Sequence, residues 1–243
     1  MSMTFNTIRI RQLQPNIDEA LQKDILSFLN YDISKYSEMG KSLHVLDLHR
    51  KALLHTHNKP RNVAPSLDQR EGKNKGDSHK VFRPATKLHE AGVRFMTSES
   101  ISLRDITFYR DGDVLKLPNF IVDDYTELMY LNLIAFERCH VPASSNITSF
   151  VAFMDCIIDD HRDIKLLSSK GIINNFIRTD NEAADLFNRV SRDLAVECLV
   201  EMNFHFYKVY KNLIDYSNMR WNKWQTCWNK WHANLTQTYF RSP

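Results

Sequence analysis

Four tryptophans near the carboxy terminus form the pattern in this sequence best suited to an interaction surface. They are Trp221, Trp224, Trp228 and Trp231, and on a helix their spacing places all four indoles within an arc of roughly 80°. Cations lie near this tryptophan ridge: Arg220 flanks it, and Lys223 and Lys230 point to the opposite face of the helix. Indole rings suit the membrane–water boundary, and neighbouring cations suit anionic headgroups. The pattern therefore predicts a membrane-facing or partner-facing surface made of these seven residues.

Other uses of the tryptophan ridge stay open at the level of sequence. The ridge could pack against the protein's own helices, or fill a groove on a partner protein. Nucleic-acid binding is disfavoured, because 32 basic and 29 acidic residues leave a formal charge of only +3, enough to neutralise few phosphates.

A cluster of acidic residues offers a different chemistry. Asp155, Asp159, Asp160 and His161, with Asp163 beside them, have ligand types that could hold a divalent metal and activate water. A soluble metal-dependent hydrolase is therefore the alternative function. However, the cluster also spans an expected helix end and helix start, where aspartate is favoured as a cap.

Composition excludes several classes of protein. The 243 residues include only four cysteines without a CxxC pair, so neither a disulfide scaffold nor a common structural zinc module is indicated. No GxSxG, P-loop, GxGxxG or HExxH motif occurs. We therefore expect no enzyme activity, no cofactor and no small-molecule substrate.

The elements that would position these residues begin with a helical segment, residues 1–54. Asn16 and Glu19 fit a capping box, and Ile17, Leu21 and Ile25 form an apolar stripe. Residues 55–80 contain few large apolar side chains, which predicts a mobile linker or long loop.

Residues 81–218 are predicted to form a helical core with one small β-hairpin. The hairpin joins strands 103–109 and 114–122 through the turn Arg110-Asp111-Gly112-Asp113. A short helix is expected over 85–91, ended by Gly92. Asp123 or Asp124 is expected to cap a helix through 128–137, which is apolar nearly all round and therefore expected to be central in the core. Further helices are expected over 146–158, with Asn146 as the cap, and over 163–170, ended by Gly171. A long last helix is expected to start at Thr179 and to reach the tryptophan-rich end, residues 219–243. The fold class is therefore mainly α, a helical bundle-like body with the hairpin packed on it.

Several stretches of the chain resemble a plant-specific family, the domain of unknown function DUF247. They follow one another in the same order, and they are HVLDLHR (44–50), FRPATKLHEAGVRF (82–95), DITFYRDGDVLKLPNFIVDDYTE (105–127), NLIAFERCH (132–140), ITSFVAFMDCIIDD (147–160), DIKLLSSKGIINNFI (163–177), DNEAADLFNRV (180–190), RWNKW (220–224) and YF (239–240).

The resemblance implies a mostly helical protein without established enzyme activity. Members of the family are described as membrane proteins with a transmembrane helix after the tryptophan-rich segment, and some are implicated in grass self-incompatibility. The resemblance thus implies a membrane-associated recognition or signalling protein, at the plasma membrane.

This chain departs from the family pattern at both ends. It lacks the family's amino-terminal half and stops at Arg241-Ser242-Pro243, where the anchor is expected to begin. We therefore expect a fragment or truncated member, which would be cytoplasmic if the chain is complete as written.

Overall fold

A computed structural model describes residues 17–29, 31, 36, 40–55, 83–140, 144–192, 194 and 202–239. The chain divides into two compact units, Met1–Ala52 and Leu53–Pro243. Nearly all of the predicted linker, residues 55–80, lies outside the described residues. The four-part domain division expected from the sequence stays a prediction.

The described residues of the first unit include two short helices, α1 (Glu19–Phe28) and most of α2 (Val45–Leu54). Its small core contains Leu26, Tyr36, Leu48 and Ala52. Asp18 caps α1, because its carboxylate accepts a hydrogen bond from the Ala20 amide at 3.1 Å. Asn16, the predicted cap, lies outside the described residues.

The second unit is predominantly helical, which confirms the mainly α class. Among the described residues its helices are α3 (Ala85–Glu90), α4 (Thr126–Cys139), α5 (Asn146–Ile157), α6 (His161–Ser169), α7 (Asp180–Ser191) and α8 (Phe204–Tyr239). The strands in the same ranges are β1 (Arg94–Thr97), β2 (Thr107–Tyr109), β3 (Val114–Leu117), β4 (Phe120–Val122) and β5 (Ile173–Asn175).

The predicted hairpin is present but belongs to a larger arrangement of strands. β2 and β3 pair antiparallel with Phe108 opposite Leu115, joined by a 3₁₀ turn, and Asp113 rather than Gly112 takes the left-handed conformation. β1 adds to the other edge of β3 in parallel, and β4 pairs with β5 in parallel as a separate two-stranded sheet. In the part of the chain that the structure describes, two sheets therefore replace the single hairpin expected from the sequence.

The most central helix of this unit is α5, not α4. Ten of the twelve α5 residues are buried, among them Phe150 and Phe153, which are fully inaccessible. By contrast, α4 leaves Leu128 and Leu131 exposed although its sequence is apolar nearly all round. The expectation that α4 is central was therefore wrong, because α5 occupies that place.

A buried glutamate from α4 caps α5. The Glu137 carboxylate accepts hydrogen bonds from the amides of Ile147 and Thr148, at 3.0 and 2.9 Å, and from the Thr148 hydroxyl at 2.8 Å. A negative charge at a helix amino terminus is favoured by the unpaired amides and by the helix dipole. Asn146, expected to cap this helix, instead bonds Asn203 through its side chain.

The single long helix predicted from Thr179 onward is wrong. Thr179 does cap α7, since its hydroxyl accepts the Glu182 amide. However, α7 ends at Ser191, and α8 begins anew at Phe204. Apolar residues recur at helical spacing in both α7 and α8 because each helix packs on α5. The two are separate helices and do not form one continuous helix.

Candidate docking surface on the last helix

The first part of α8 is held firmly by the body of the second unit. Phe206, Leu213 and Tyr216 are buried, and the helix contacts α5 and β2. The Phe206 ring lies 6.4 Å from Phe153, and Tyr216 meets Phe108 edge-on at 5.5 Å. The hairpin therefore packs on the helical body through α8, as the sequence predicts.

The second part of α8 leaves this body. Ser217 is fully buried, whereas every later position whose side chain is described is exposed: 218–221, 223 and 226. The helical backbone continues for 22 more residues, to Tyr239, which is about 33 Å at 1.5 Å per residue. All four tryptophan positions lie on this continuous helix, so the periodicity from which the ridge was inferred applies to it.

Arg220 anchors the point where α8 leaves the body. Its Nε donates a hydrogen bond to the Ala91 carbonyl, 3.3 Å away, at the carboxy-terminal end of α3. A cation at that end of a helix satisfies a carbonyl that has no intrahelical partner. The neighbouring Gly92 has φ +98°, and a Cβ there would lie 3.0 Å from the Arg220 guanidinium. Arg220 is thus a structural contact as well as an exposed charge.

Trp221 lies at the edge of the same joint. The Arg83 guanidinium carbon lies 5.8 Å from the Trp221 ring centroid, within the range of a cation–π contact. Arg83 also donates a hydrogen bond to Asn218 at 2.9 Å, whereas its buried Nε has no partner among the described residues. The Trp221 side chain is still 39% exposed, so it belongs partly to the body and partly to the outer surface.

A cavity of about 560 Å³ opens between the end of α3 and α8. The described residues that line it are Glu90, Ala91, Arg220, Trp221 and Lys223. Lys223 is exposed and makes no ion pair with any described residue, whereas Glu90 pairs with Lys87 at 2.9 Å. The cavity therefore combines two cations, an indole and one partly neutralised carboxylate.

The acidic cluster forms caps and not a metal-binding arrangement. The Asp160 carboxylate accepts from the Arg162 amide, and Asp163 accepts from the Asp159 and Asp160 amides, so the two form a capping box for α6. The side-chain hydrogen bond from Arg162 lowers the pKa of Asp160. No group of three metal-ligand side chains occurs among the residues that the structure describes, and the hydrolase alternative gains no support.

Asp155 is the member of the cluster in a different environment. It lies on α5 and accepts a hydrogen bond from the Ser191 hydroxyl at the end of α7. Burial raises the pKa of Asp155, the nearby Asp159 charge adds to the rise, and the Ser191 bond opposes it. Its half-buried carboxylate therefore joins α5 to α7.

Nearly the whole sequence matches a known plant family. A model of the family DUF247, described as a plant protein of unknown function, matches residues 4–243. The chain belongs to the DUF247 family. The membership inferred from the chain's motifs is thereby confirmed, and the family's description assigns no activity to any residue.

Two Arabidopsis thaliana proteins are similar to this DUF247 chain. UPF0481 protein At3g47200 is 27% identical over 213 residues, which cover 84% of this chain and 43% of that protein. Putative UPF0481 protein At3g02645 is 30% identical over 107 residues, or 44% of this chain and 20% of that protein. The chain spans less than half the length of these curated relatives. No solved structure matches it.

A membrane anchor is the structural feature that resemblance to the DUF247 family implies. Within the described ranges, no helix has both the length and the apolar character that crossing a bilayer requires, and this holds for α8 despite its 36 residues.

The structure brings together part of the predicted surface. Arg220, Trp221 and Lys223 meet at the cavity, whereas the side chains of Trp224, Trp228, Lys230 and Trp231 lie outside what is described. Sequence reasoning missed Arg83 and Glu90, which precede α8 by more than 110 residues. No local pattern marks either residue as part of a site, because only the packing of α3 against α8 creates it.

Proposed function

We propose that this DUF247 chain is a non-enzymatic, membrane-associated protein with a recognition or signalling role, and that it docks on an anionic membrane surface through the outer part of α8. The observation that carries this proposal is that burial ends at Ser217, and that the later positions with described side chains, 218–221, 223 and 226, are exposed in a helix whose backbone continues to Tyr239. An exposed helical segment of this kind is available to a second surface.

The charge of α8 supports a negatively charged docking partner. The outer part of this helix, residues 218–239, contains three basic residues, Arg220, Lys223 and Lys230, and no acidic residue. Each Lys or Arg near an anionic lipid surface contributes about 1 kcal/mol of attraction at moderate ionic strength. Combined with the spacing of the tryptophans, this favours the interfacial region of a membrane over an uncharged protein groove.

The non-enzymatic part of the proposal is supported by the state of the acidic cluster. Asp160 and Asp163 already accept backbone and side-chain hydrogen bonds at the start of α6. Binding a metal would require the α6 cap to be given up, and a lost cap costs about 1 kcal/mol of stability.

The test is co-sedimentation of the purified chain with phosphatidylcholine vesicles that contain about 30% phosphatidylserine. The test variant is Trp224→Ala with Trp228→Ala. Trp221 is left intact because it contacts Arg83, so truncating it would disturb the joint between α3 and α8. We expect the double variant to bind at least about tenfold more weakly, since two indoles no longer enter the interface.

The matched control is Thr226→Ala with Gln237→Ala, two substitutions at positions on the opposite side of the same helix. This variant should bind vesicles as the parent does, and all three proteins should have the same helical circular dichroism. Equal binding by the tryptophan variant, or equal loss in the control, would refute membrane docking through the ridge and favour a partner-protein groove.

A further inference from the structure

The cavity beside Arg220 has the composition of a small-ligand site that the membrane proposal does not itself require. Its volume of about 560 Å³ falls within the range of about 300–1,000 Å³ that is usual for ligand pockets. It lies where the packed part of α8 ends. Its lining carries charges of both signs and is apolar at the indole.

The cations of the cavity have unused hydrogen-bonding capacity. Arg220 donates through Nε to Ala91 and makes no further hydrogen bond with the described residues. A guanidinium has five N–H donors and an ammonium has three, so Arg220 and Lys223 together can bind several anionic oxygens. A phosphate group is the ligand that a fork of guanidinium donors recognises best.

The carboxylate of the cavity indicates that the ligand is more than a simple anion. Glu90 lines the same space as Arg220 and Lys223, and its pairing with Lys87 is exposed and therefore weak. A carboxylate repels inorganic phosphate but accepts hydrogen bonds from hydroxyl groups. The partly exposed Trp221 side chain lines the cavity and adds an apolar wall, against which the carbon atoms of a ring can lie.

From these groups we infer that the cavity binds a phosphorylated polyol, of which an inositol phosphate is the type. Its phosphates would be held by Arg220 and Lys223, a ring hydroxyl would donate to Glu90, and the ring would rest on Trp221. The inference goes beyond the proposed docking function, because the same chemistry occurs free in solution as well as in the headgroup of a phosphoinositide.

The test measures binding of soluble inositol trisphosphate to the purified chain by calorimetry, without vesicles. Lys223→Gln should weaken binding at least about fivefold, because it removes a charge-assisted phosphate contact. The matched control is Lys211→Gln, the same change at an exposed position on α8 that does not line the cavity. It should leave the affinity within about twofold, since a distant exposed charge is screened.

Glu90→Gln separates a polyol site from a simple anion site. With inositol trisphosphate this variant should bind more weakly, because the glutamine side chain is a poorer acceptor for the ring hydroxyl. With inorganic phosphate it should bind more tightly, because a like charge is removed. Tighter binding of both probes would overturn the polyol assignment.

A vesicle-binding experiment distinguishes a lipid headgroup from a soluble inositol phosphate as the ligand. Phosphatidylcholine vesicles with about 10% phosphatidylinositol bisphosphate should bind the parent chain more tightly than phosphatidylserine vesicles of equal charge if the headgroup is the ligand, and Lys223→Gln should lose this preference. No preference of the parent chain for the bisphosphate vesicles, together with a Lys223-dependent affinity for the soluble probe, assigns the site to a soluble inositol phosphate.

Failure of this inference differs from failure of membrane docking. No measurable binding of inositol trisphosphate, or equal affinity in the parent and Lys223→Gln, overturns the cavity assignment even where phosphatidylserine vesicles still bind through the tryptophans. Conversely, soluble binding that survives Trp224→Ala with Trp228→Ala upholds the cavity when vesicle docking is absent.

Discussion

The two parts of α8 have similar apolar periodicity and opposite surroundings. Up to Ser217 the stripe of Phe206, Leu213 and Tyr216 is covered by α5 and β2. Beyond it, Met219 and Trp221 are each 39% exposed. An apolar stripe on a helix therefore predicts that another surface will pack against it. The rest of the fold decides whether that surface belongs to the same chain.

The largest expected difference between the two parts is in stability. Phe206→Ala should lower the free energy of unfolding of the second unit by about 3–5 kcal/mol, because it leaves a cavity beside Phe153. Trp221→Ala should cost about 1 kcal/mol or less, since that ring is partly in water already. Urea denaturation followed by helical circular dichroism measures both, and similar losses would show that the outer part is packed as well.

The next largest effect on stability is expected at α5, the helix against which the packed part of α8 lies. The backbone amide of Asn203, just before α8, donates a hydrogen bond to the Ser149 hydroxyl on α5 at 2.8 Å. This bond attaches the start of α8 to α5. Glu137→Gln should therefore lower stability by about 2 kcal/mol, because it removes the charge that caps α5. Thr148→Val, which removes only the hydroxyl donor to Glu137, is the milder control. Equal denaturation midpoints for Glu137→Gln and the parent would contradict the capping role.

The joint between the two parts depends on a glycine. Gly92→Ala should cost about 1–2 kcal/mol, because its φ of +98° disfavours a side chain and the new Cβ would press on Arg220. In a double-mutant cycle, Gly92→Ala should cost less stability in the Arg220→Ala background, because the contact between the new Cβ and the guanidinium is then absent. The cost of the backbone conformation should remain. If Gly92→Ala costs no stability in that background, the whole cost comes from the contact with Arg220. If the cost is unchanged, the guanidinium moves away from the new Cβ.

Features specified by neighbouring residues were the ones that sequence could predict. Gly92 and Gly171 end α3 and α6 with positive φ, and Thr179 caps α7, since each signal acts within one turn. The hairpin was found for the same reason. The tryptophan spacing likewise needs only a continuous helix, which α8 provides.

Features that join distant segments were not predictable from local patterns. The parallel pairs β1–β3 and β4–β5 consist of three or four residues each, too short to show a period of two. The exposure of Leu128 on α4 follows from the position of α5, and the cavity follows from the packing of α3 on α8. The acidic cluster shows that the same residues fit a cap and a metal site until their hydrogen bonds are known.

The smallest expected effect comes from Asp155, which ties α5, the support of α8, to α7. Its pKa is raised in the folded state mainly by burial, so the folded chain holds this proton more tightly than the unfolded chain. The stabilisation is present below the ordinary carboxyl pKa and is lost as pH rises through the raised value. Asp155→Asn, which cannot ionise, should therefore gain stability relative to the parent as pH rises from about 3 to 7, by less than about 1 kcal/mol.

The control for this pH effect is Asp160→Asn, which keeps a good helix cap but loses the charge beside Arg162. The pKa of Asp160 is lowered in the folded state, first by the Arg162 hydrogen bond. Its contribution is therefore present above the ordinary pKa and lost as pH falls, so the parent should gain on this variant as pH rises. Relative to the parent, the urea midpoints of the two variants across this pH range should therefore diverge in opposite directions. Parallel curves would show that Asp155 is not buried as α5 and α7 place it.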